Sequence, residues 1–260
     1  MTEHFTARTT TGALQHLLRQ SFAQAERPLL LLDYDGTLVP FAPRPELALP
    51  DSELLDLMRK LCARPHAHVC VISGRDRFTL ESWFGQLDLT LVAEHGAWIR
   101  SRGHAIWRTT QPVSSAWKPQ VKSILRSYVR RTPGSLVENK EFSMAWHYRQ
   151  CNDKLGASRA ALLLKQLRAI ADVNAVQILE GNKVVEVRKL GVNKGATARA
   201  VELALQPDFI LAAGDDRTDE DLFAALPSSA FSIRVGDAIA GGRFSVRDPR
   251  ELRSVLCQLI

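Results

Sequence analysis

Short, continuous apolar runs alternate along the chain with segments of helical periodicity. Four such runs each end in small or acidic residues, at positions 29–32, 68–72, 89–93 and 209–213. On its own the first run fits a buried strand or part of a core helix, and the flanking Pro28 and Asp-Gly favour the strand. Helix-like segments cover 13–25 and 51–62, and a further helix is expected after the turn 191–195. This alternation predicts a mostly parallel sheet covered by helices on both faces.

The middle of the chain has a different pattern, in which hairpin-like alternation replaces the long apolar runs. Helix-like and strand-like segments there lie at 121–130, 136–149, 154–170 and 183–189. We therefore predict an α/β fold. It has a Rossmann-like parallel-sheet core formed by residues 1–104 and 190–260, and a smaller α+β domain inserted at 105–189.

Composition and charge place the chain among ordinary globular proteins. Hydrophobic residues make up 45% and charged residues 24% of the 260 positions, which excludes disordered, collagen-like and coiled-coil chains. The net charge of +6 suits an anionic ligand, but it also arises on solvated faces. The cysteines lack metal-finger spacing and are expected to be reduced; they are Cys62, Cys70, Cys151 and Cys257.

The pattern also indicates where the protein works. The first residues lack the order of a secretory signal, and no apolar run approaches the roughly 20 residues that cross a bilayer. The five tryptophans are scattered, which is typical of packing and not of a base-stacking platform. We expect a cytoplasmic monomer that binds neither membrane nor nucleic acid.

Two carboxylates follow the first apolar run. Asp33 and Asp35 are two residues apart, so in an extended chain they project to the same side and repel one another unless a cation or proton intervenes. Mg²⁺ is the natural cation for such oxygen ligands beside a phosphate. Gly36 permits a sharp turn, and the Thr37 hydroxyl suits a hydrogen bond to a carboxylate. The alternative is an ordinary turn after a strand.

A second acidic cluster, GDDRTDED at 214–221, follows the fourth run. A solvated helix start explains Glu220 and Asp221, but it does not readily explain Asp215 and Asp216 directly after a buried strand and a glycine. Ligands bind beyond the carboxyl ends of parallel strands, so the two clusters are placed to clamp one divalent ion. Asp219 belongs to this cluster but is given no separate role.

Two further turns suit a phosphate between these clusters. Ser73 ends the second run with a hydroxyl and backbone N–H groups, and Lys194 precedes a helix whose N-terminus favours an anion. Each turn alone is also common without a ligand. Their order along the chain, each at a strand or helix end, makes the combined signal much stronger.

Four segments resemble the four motifs of the haloacid dehalogenase-like phosphatases: LDYDGTL (32–38), VISGR (71–75), the lysine of GVNKG (191–195) and GDDRTDED (214–221). EHGAW (94–98), HYR (147–149) and EVRKLGVNKG (186–195) more narrowly resemble the trehalose-6-phosphate phosphatase branch. The resemblance spans residues 29–223. It implies that Asp33 is the nucleophile that forms an aspartyl-phosphate. Asp35 is then the general acid and base, and Ser73 and Lys194 hold the phosphoryl oxygens.

The resemblance also implies a metal and a sugar site. Mg²⁺ is held by Asp33, the backbone carbonyl of Asp35 and Asp215, with Asp216 assisting through water. The insertion 105–189 is a cap domain that recognises the sugar through Glu138, Lys140 and Glu186. For these three residues the alternative is a hairpin with solvated charged faces. Arg75 is assigned to substrate binding, although after Ser73-Gly74 it meets either an anion or an acidic neighbour.

Together these features predict a magnesium-dependent phosphomonoester hydrolase whose ligand is a small sugar phosphate. The resemblance to the trehalose-6-phosphate phosphatase branch implies that the substrate is trehalose 6-phosphate, which would be converted into trehalose and phosphate in trehalose biosynthesis. One alternative is a related phosphatase of the sucrose-phosphate or mannosyl-3-phosphoglycerate type. Another is a non-catalytic sugar-phosphate sensor, which loss of Asp33 or Asp35 would favour; both residues are present.

Overall fold

The computed structural model describes residues 11–110, 114–237 and 241–260. Within them the chain forms eight α-helices: α1 (Thr11–Gln24), α2 (Ser52–Ala63), α3 (Arg77–Phe84), α4 (Lys118–Val129), α5 (Asp153–Asn174), α6 (Lys194–Leu205), α7 (Arg217–Ala224) and α8 (Pro249–Cys257). The strands are β1 (Pro28–Leu32), β2 (His68–Ile72), β3 (Thr90–Ala93), β4 (Trp98–Arg100), β5 (Arg108–Thr109), β6 (Leu136–Asn139), β7 (Ser143–His147), β8 (Val176–Gly181), β9 (Val184–Lys189), β10 (Phe209–Gly214), β11 (Phe231–Val235) and β12 (Phe244–Val246). None of the described helices has the length and apolar content needed to span a bilayer.

The chain divides into two compact units, Met1–Thr110 with Asn193–Ile260, and Gln111–Val192. The first unit contains an eight-stranded sheet in the order β12-β11-β10-β1-β2-β3-β4-β5. All neighbours from β12 to β3 run parallel. The predicted α/β fold with a parallel-sheet core is therefore confirmed.

The sequence of β1 explains why it lies at the centre of this sheet. Its leucines are fully buried and alternate between two clusters. Leu30 and Leu32 pack with α1, α2 and α8, whereas Leu29 and Leu31 pack on the other face with α6 and α7. A strand that buries both faces needs apolar residues at every position, which is why the run has no polar alternation.

The edge formed by β4 and β5 differs from the expected parallel arrangement. These strands run antiparallel to β3 and to each other, so the sheet is mixed. Only residues 94–97 separate β3 from the start of β4. A parallel neighbour needs a crossover of roughly a dozen residues or more, so this connection permits only an antiparallel one.

The strand order reverses at β1, which positions the functional site. From β1 the chain continues to β2 and β3 on one side, and later to β10, β11 and β12 on the other. Such a switch point opens a crevice beyond the carboxyl ends of the adjacent strands. Asp33 follows directly after β1, Ser73 after β2 and Asp215 after β10.

The second unit is an antiparallel sheet in the order β6-β7-β9-β8 with two helices on one face. Met144, Trp146, Val185 and Val187 form its core with α4 and α5. Because side chains alternate along a strand, the intervening residues of β6, β7 and β9 lie on the opposite, more polar face.

Candidate active site

Three buried carboxylates converge at the switch point. The N–H of Asp33 donates to Ala213 O at 3.0 Å, which extends the pairing of β1 with β10 by one residue and places Asp33 beside Asp215. Oxygens of Asp33, Asp215 and Asp219 all lie within 4.8 Å of one another. The two acidic segments, about 180 residues apart in sequence, thus meet as the strand-end pattern predicts.

Lys194 neutralises part of this charge. It is the first residue of α6, whose N-terminus is capped by Asn193. Its Nζ donates to Asp33 Oδ1 at 2.6 Å and to Asp219 Oδ1 at 2.8 Å. Burial alone would lower the pKa of Lys194, but the Asp219 and Asp33 carboxylates outweigh it and raise that pKa. The ammonium is therefore charged.

Asp219 is the residue whose role the sequence analysis missed. Its Oδ2 accepts the backbone N–H groups of Asp215 and Asp216, both at 3.1 Å, so it holds the turn after β10. Asp216 and Asp219 form a capping box at the start of α7. The spacing of an N-cap residue and an acidic residue three positions later is the sequence signal that identifies this role.

The carboxylates fit a divalent cation. Burial raises the pKa of Asp33 well above its usual value, with Lys194 opposing the shift. Burial and the Asp219 charge raise the pKa of Asp215 to about 7. Thr37 Oγ1 donates to Asp215 Oδ1 at 2.9 Å, but in the described residues neither Asp33 Oδ2 nor Asp215 Oδ2 accepts a hydrogen bond. Buried acceptor oxygens with excess negative charge are what a hard cation requires.

Asp216 stands apart from the other acidic residues. Its Oδ1 accepts the Thr218 N–H at 2.6 Å and the Thr218 hydroxyl at 2.8 Å, so the carboxylate caps α7. Burial opposes ionisation, but the Lys194 charge and the Thr218 hydrogen bonds lower its pKa. The three-carboxylate cluster includes Asp219 in the place where the sequence analysis had put Asp216.

Asp35 lies against Arg75. The Arg75 Nε donates to Asp35 Oδ2 at 2.7 Å, and Nη2 donates to Oδ1 at 2.5 Å. Of the two alternatives left by the sequence, an anion or an acidic neighbour, the structure places Arg75 on the acidic neighbour.

Ser73 is almost completely buried at the end of β2. Its N–H donates to Val92 O at 2.9 Å, and its Oγ accepts the Arg75 N–H at 3.1 Å. Within the described part of the chain the Ser73 hydroxyl hydrogen has no acceptor, so it is available to a ligand oxygen.

The turn after β3 supports the Ser73 loop. Glu94 and His95 both have left-handed backbones, with φ of 46° and 57°. Their N–H groups donate to Arg75 O and Ser73 O, both at 2.9 Å. A Cβ on Gly74 would lie 2.4 Å from His95 Nε2, so the ring packs directly on the loop. Consecutive left-handed residues of this kind are strained and are retained where the surroundings fix them.

Gly36 gives the first testable prediction. Its φ is +84°, and an added Cβ would lie 2.2 Å from Asp215 Oδ2. We expect Gly36→Ala to displace the Asp215 carboxylate and to reduce the kcat of the phosphatase reaction predicted from the sequence by about 100-fold, the scale of a 1 Å misplacement. Gly103→Ala is the matched control, since Gly103 has a φ of +73° with nothing within 4 Å of its added Cβ. Equal losses in the two variants would mean that backbone strain, and not the clash with Asp215, is responsible.

In the second unit, the three proposed sugar residues share the polar face of the sheet. Glu138 pairs with Ala145, which pairs with Glu186, so the two glutamates lie in one row on either side of a small residue. Lys140 Nζ lies 3.4 Å from Glu138 Oε2, and His147 Nε2 lies 2.9 Å from the same oxygen. Burial opposes ionisation of Glu138, but Lys140 and His147 outweigh it and lower its pKa to about 2. His147, the first residue of the HYR segment, thus belongs to this polar cluster.

Comparison with known proteins places this arrangement in a family. The model of the trehalose-phosphatase family matches residues 31–247. The chain is 43% identical over 242 residues to the bifunctional trehalose-6-phosphate synthase/phosphatase of Thermoproteus tenax, covering 93% of this chain and 33% of the relative. It is 35% identical to the trehalose-phosphatase of Saccharomyces cerevisiae, covering 84% of this chain and 27% of the relative. The chain thus spans about a third or less of these relatives.

Solved structures are similar over nearly the whole chain. The C-terminal domain of C. albicans trehalose-6-phosphate phosphatase superposes with a TM-score of 0.88 at 30% identity, covering 94% of this chain and 96% of that one. A haloacid dehalogenase-like hydrolase from Bacteroides thetaiotaomicron, at 11% identity and a TM-score of 0.66, shares the fold.

Proposed function

Because the chain belongs to the trehalose-phosphatase family, we propose that it hydrolyses trehalose 6-phosphate to trehalose and phosphate in trehalose biosynthesis. The observation that carries the proposal is the buried group of Asp33, Asp215 and Asp219 around Lys194, with Asp35 two residues after Asp33. A nucleophilic carboxylate beside a cation, and a second carboxyl group two residues away for proton transfer, are the parts that phosphoryl transfer requires.

In the first step the Asp33 carboxylate attacks phosphorus. A bond forms between a carboxylate oxygen and phosphorus as the bond from phosphorus to the sugar oxygen breaks, and the electron pair stays on that oxygen. Asp35 donates a proton to it, so trehalose leaves as an alcohol. Attack of one anion on another needs positive charge, which Lys194 supplies directly beside Asp33. Ser73 donates its hydroxyl hydrogen to a phosphoryl oxygen.

In the second step water hydrolyses the phosphorylated Asp33. Asp35, now ionised, takes a proton from the water molecule, and the water oxygen bonds to phosphorus. The bond between phosphorus and the Asp33 oxygen breaks, and the Asp33 carboxylate is restored with release of phosphate. Because Asp35 gives up its proton in the first step, it can act as the base in the second, so one carboxyl group serves both steps.

We propose Mg²⁺ as the cation, which would be held by Asp33, Asp215 and the backbone carbonyl of Asp35, with Asp216 assisting through water. The ion neutralises phosphoryl charge when bound. Asp219 is already engaged by Lys194 and by two backbone N–H groups, so its role is to hold the lysine and the turn.

We propose residues 105–189 as the domain that selects the sugar, through Glu138, Lys140 and Glu186. Carboxylates accept bidentate hydrogen bonds from neighbouring hydroxyls and Lys140 supplies donors, which suits a pyranose ring. Glu138 and Glu186 flank Ala145 in one row of the sheet, so the two glutamates lie on the same face.

Glu138→Gln tests this sugar site. We expect KM for trehalose 6-phosphate to rise by about 10-fold to 100-fold, the scale of a charged hydrogen bond, with kcat little changed. Turnover of p-nitrophenyl phosphate, which lacks the sugar, should be unaffected. Glu180→Gln is the control, because Glu180 pairs with Val185 and so faces the other side of the same sheet. A KM unchanged by Glu138→Gln would exclude Glu138 from sugar binding.

The activity itself is tested by phosphate release from a panel of sugar phosphates, with Mg²⁺ and with chelator. The panel holds trehalose 6-phosphate, sucrose 6-phosphate, glucose 6-phosphate and mannosyl-3-phosphoglycerate. The proposal predicts a strong preference for trehalose 6-phosphate that chelator abolishes. Preference for another sugar would retain the phosphatase core and overturn the sugar assignment. No turnover by folded protein would favour the sensor.

A further inference from the structure

Arg75 holds the Asp35 carboxylate at two points. One nitrogen of the guanidinium donates to each carboxylate oxygen, at 2.7 Å and 2.5 Å. The side chains are 13% and 28% exposed, so the pair is largely removed from solvent. A two-point contact between a planar fork and a planar carboxylate fixes the orientation of the carboxylate as well as its position.

The guanidinium is itself fixed by two other segments. Its Nη1 donates to Pro45 O at 2.7 Å, and its Cζ lies 5.1 Å from the centre of the Trp83 ring. Trp83 in turn packs on Tyr34 at 4.9 Å between ring centres, and the Tyr34 hydroxyl donates to Ala48 O at 2.8 Å. A guanidinium held by a carbonyl oxygen and an aromatic face offers Asp35 one orientation.

The backbone of Arg75 links this pair to the loop that carries Ser73. Its N–H donates to Ser73 Oγ at 3.1 Å, and its carbonyl oxygen accepts the Glu94 N–H at 2.9 Å. The same residue therefore touches the serine proposed to bind the phosphoryl group and the carboxylate proposed to transfer the proton. Its side chain, however, is directed at the carboxylate.

We propose that Arg75 is a positioning residue for proton transfer, which holds the Asp35 carboxyl group in place and gives up one of its two contacts when Asp35 carries the proton, and that it does not act as a phosphate ligand. This inference rests on the proposed function, because it concerns the Asp35 step of that reaction. It replaces the assignment of Arg75 to substrate binding that the sequence had suggested. Lysine cannot take this role, because a single ammonium does not fix the plane of a carboxylate.

The leaving group separates positioning from phosphate binding. A sugar alkoxide is a poor leaving group and needs the proton from Asp35, whereas p-nitrophenolate leaves readily without it. Loss of a residue that acts through Asp35 therefore slows formation of the phosphorylated Asp33 from the sugar phosphate but not from p-nitrophenyl phosphate, whereas the second step, in which Asp35 is the base, is common to both substrates. Loss of a residue that binds the phosphate lowers the affinity for both substrates, because both carry the same phosphoryl group.

The experiment compares Arg75→Met and Arg75→Lys with the wild-type chain on trehalose 6-phosphate and p-nitrophenyl phosphate. On the sugar phosphate we expect kcat to fall by about 10²-fold to 10⁴-fold, the contribution of a general acid, with KM little changed. On p-nitrophenyl phosphate we expect the first turnover, measured as the burst of p-nitrophenolate, to keep the wild-type rate, which also shows that the variants are folded. Arg64→Met is the control, since Arg64 also stacks on a ring, that of Phe22 at 4.7 Å, and donates to a carbonyl oxygen.

A double variant gives a second readout that does not depend on p-nitrophenyl phosphate. If Arg75 acts through Asp35, Asp35→Asn with Arg75→Met loses no more sugar-phosphate turnover than Asp35→Asn alone. Multiplicative losses, or equal losses of the first-turnover rate on both substrates with raised KM, overturn the inference. Failure of the proposed function is distinct, because it appears in the wild-type chain as absence of turnover of every sugar phosphate.

Discussion

Asp33→Asn is expected to reduce kcat for trehalose 6-phosphate by at least about 10⁴-fold, as loss of a nucleophile does. An amide lacks the negative charge and the nucleophilic oxygen needed to form the phosphorylated intermediate. The substitution preserves shape, and an amide oxygen at this position still accepts the Lys194 hydrogen bond that the structure shows at 2.6 Å. The fold should therefore be retained, and steady-state phosphate release from saturating substrate is the measurement.

A matched control separates chemistry from general loss of charge. Asp88→Asn removes a carboxylate that pairs with Arg102 at 2.7 Å on the surface, where its side chain is 55% exposed. We expect this variant to retain wild-type kcat. Asp33→Asn protein that keeps a tenth or more of the wild-type kcat would contradict the assignment of Asp33 as nucleophile.

Lys194→Met is expected to lower the free energy of unfolding by about 3–5 kcal/mol, the scale of breaking a buried ion pair. The substitution leaves Asp33 and Asp219 buried beside Asp215 without their cation. Turnover should be lost as well, because the nucleophile then faces the phosphate without a neutralising charge. Chemical denaturation, followed by a spectroscopic signal, measures the change.

Lys183→Met is the control for this prediction. Lys183 also pairs with an aspartate, Asp153, at 2.6 Å, but the two side chains are 40% and 79% exposed. Exposed pairs contribute roughly 1 kcal/mol or less, so this loss should be small. Adding Asp219→Asn to Lys194→Met should recover part of the stability, because one buried charge is removed. Equal destabilisation by the two lysine variants would argue against a charge-based role for Lys194.

The elements that the sequence predicts best are those whose burial has a simple period. Leu29 to Leu32 are apolar at every position because both faces of β1 are covered. Asp51 caps α2 through the Leu54 N–H at 2.7 Å, as its place before a helical pattern indicates. Since carboxyl ends of parallel strands meet, Asp33 and Asp215 were expected to be neighbours before any contact was known.

Other elements lack such a local signal. The hairpin of β8 and β9 turns through Asn182 and Lys183, and Lys183 has a φ of 56° without the glycine that usually marks such a turn. The short strands β4 and β5 depend on pairing with β3 and not on a pattern of their own. Tertiary context decides these elements, and of them the sequence predicted only the strand-like segment at 183–189, which is β9.

The candidate active site also contains residues that the sequence could identify and residues that it could not. Side chains whose position follows from a strand end, such as Asp33 and Ser73, could be selected from sequence. The partners of Arg75 could not, because its choice between an anion and Asp35 depends on segments 40 residues apart. From the sequence, Asp219 was identified only as part of an acidic run. The two hydrogen bonds that its carboxylate accepts from backbone N–H groups arise from the fold of the turn itself.

The central claim is that Asp33 carries the phosphoryl group, and a crystal structure with Mg²⁺ and trifluoroberyllate, a mimic of an acyl phosphate, tests it most directly. The account predicts beryllium bonded to an Asp33 carboxylate oxygen and Mg²⁺ in contact with Asp33 and Asp215. Bonding of trifluoroberyllate to any other carboxylate, or Mg²⁺ bound away from these residues, would contradict it.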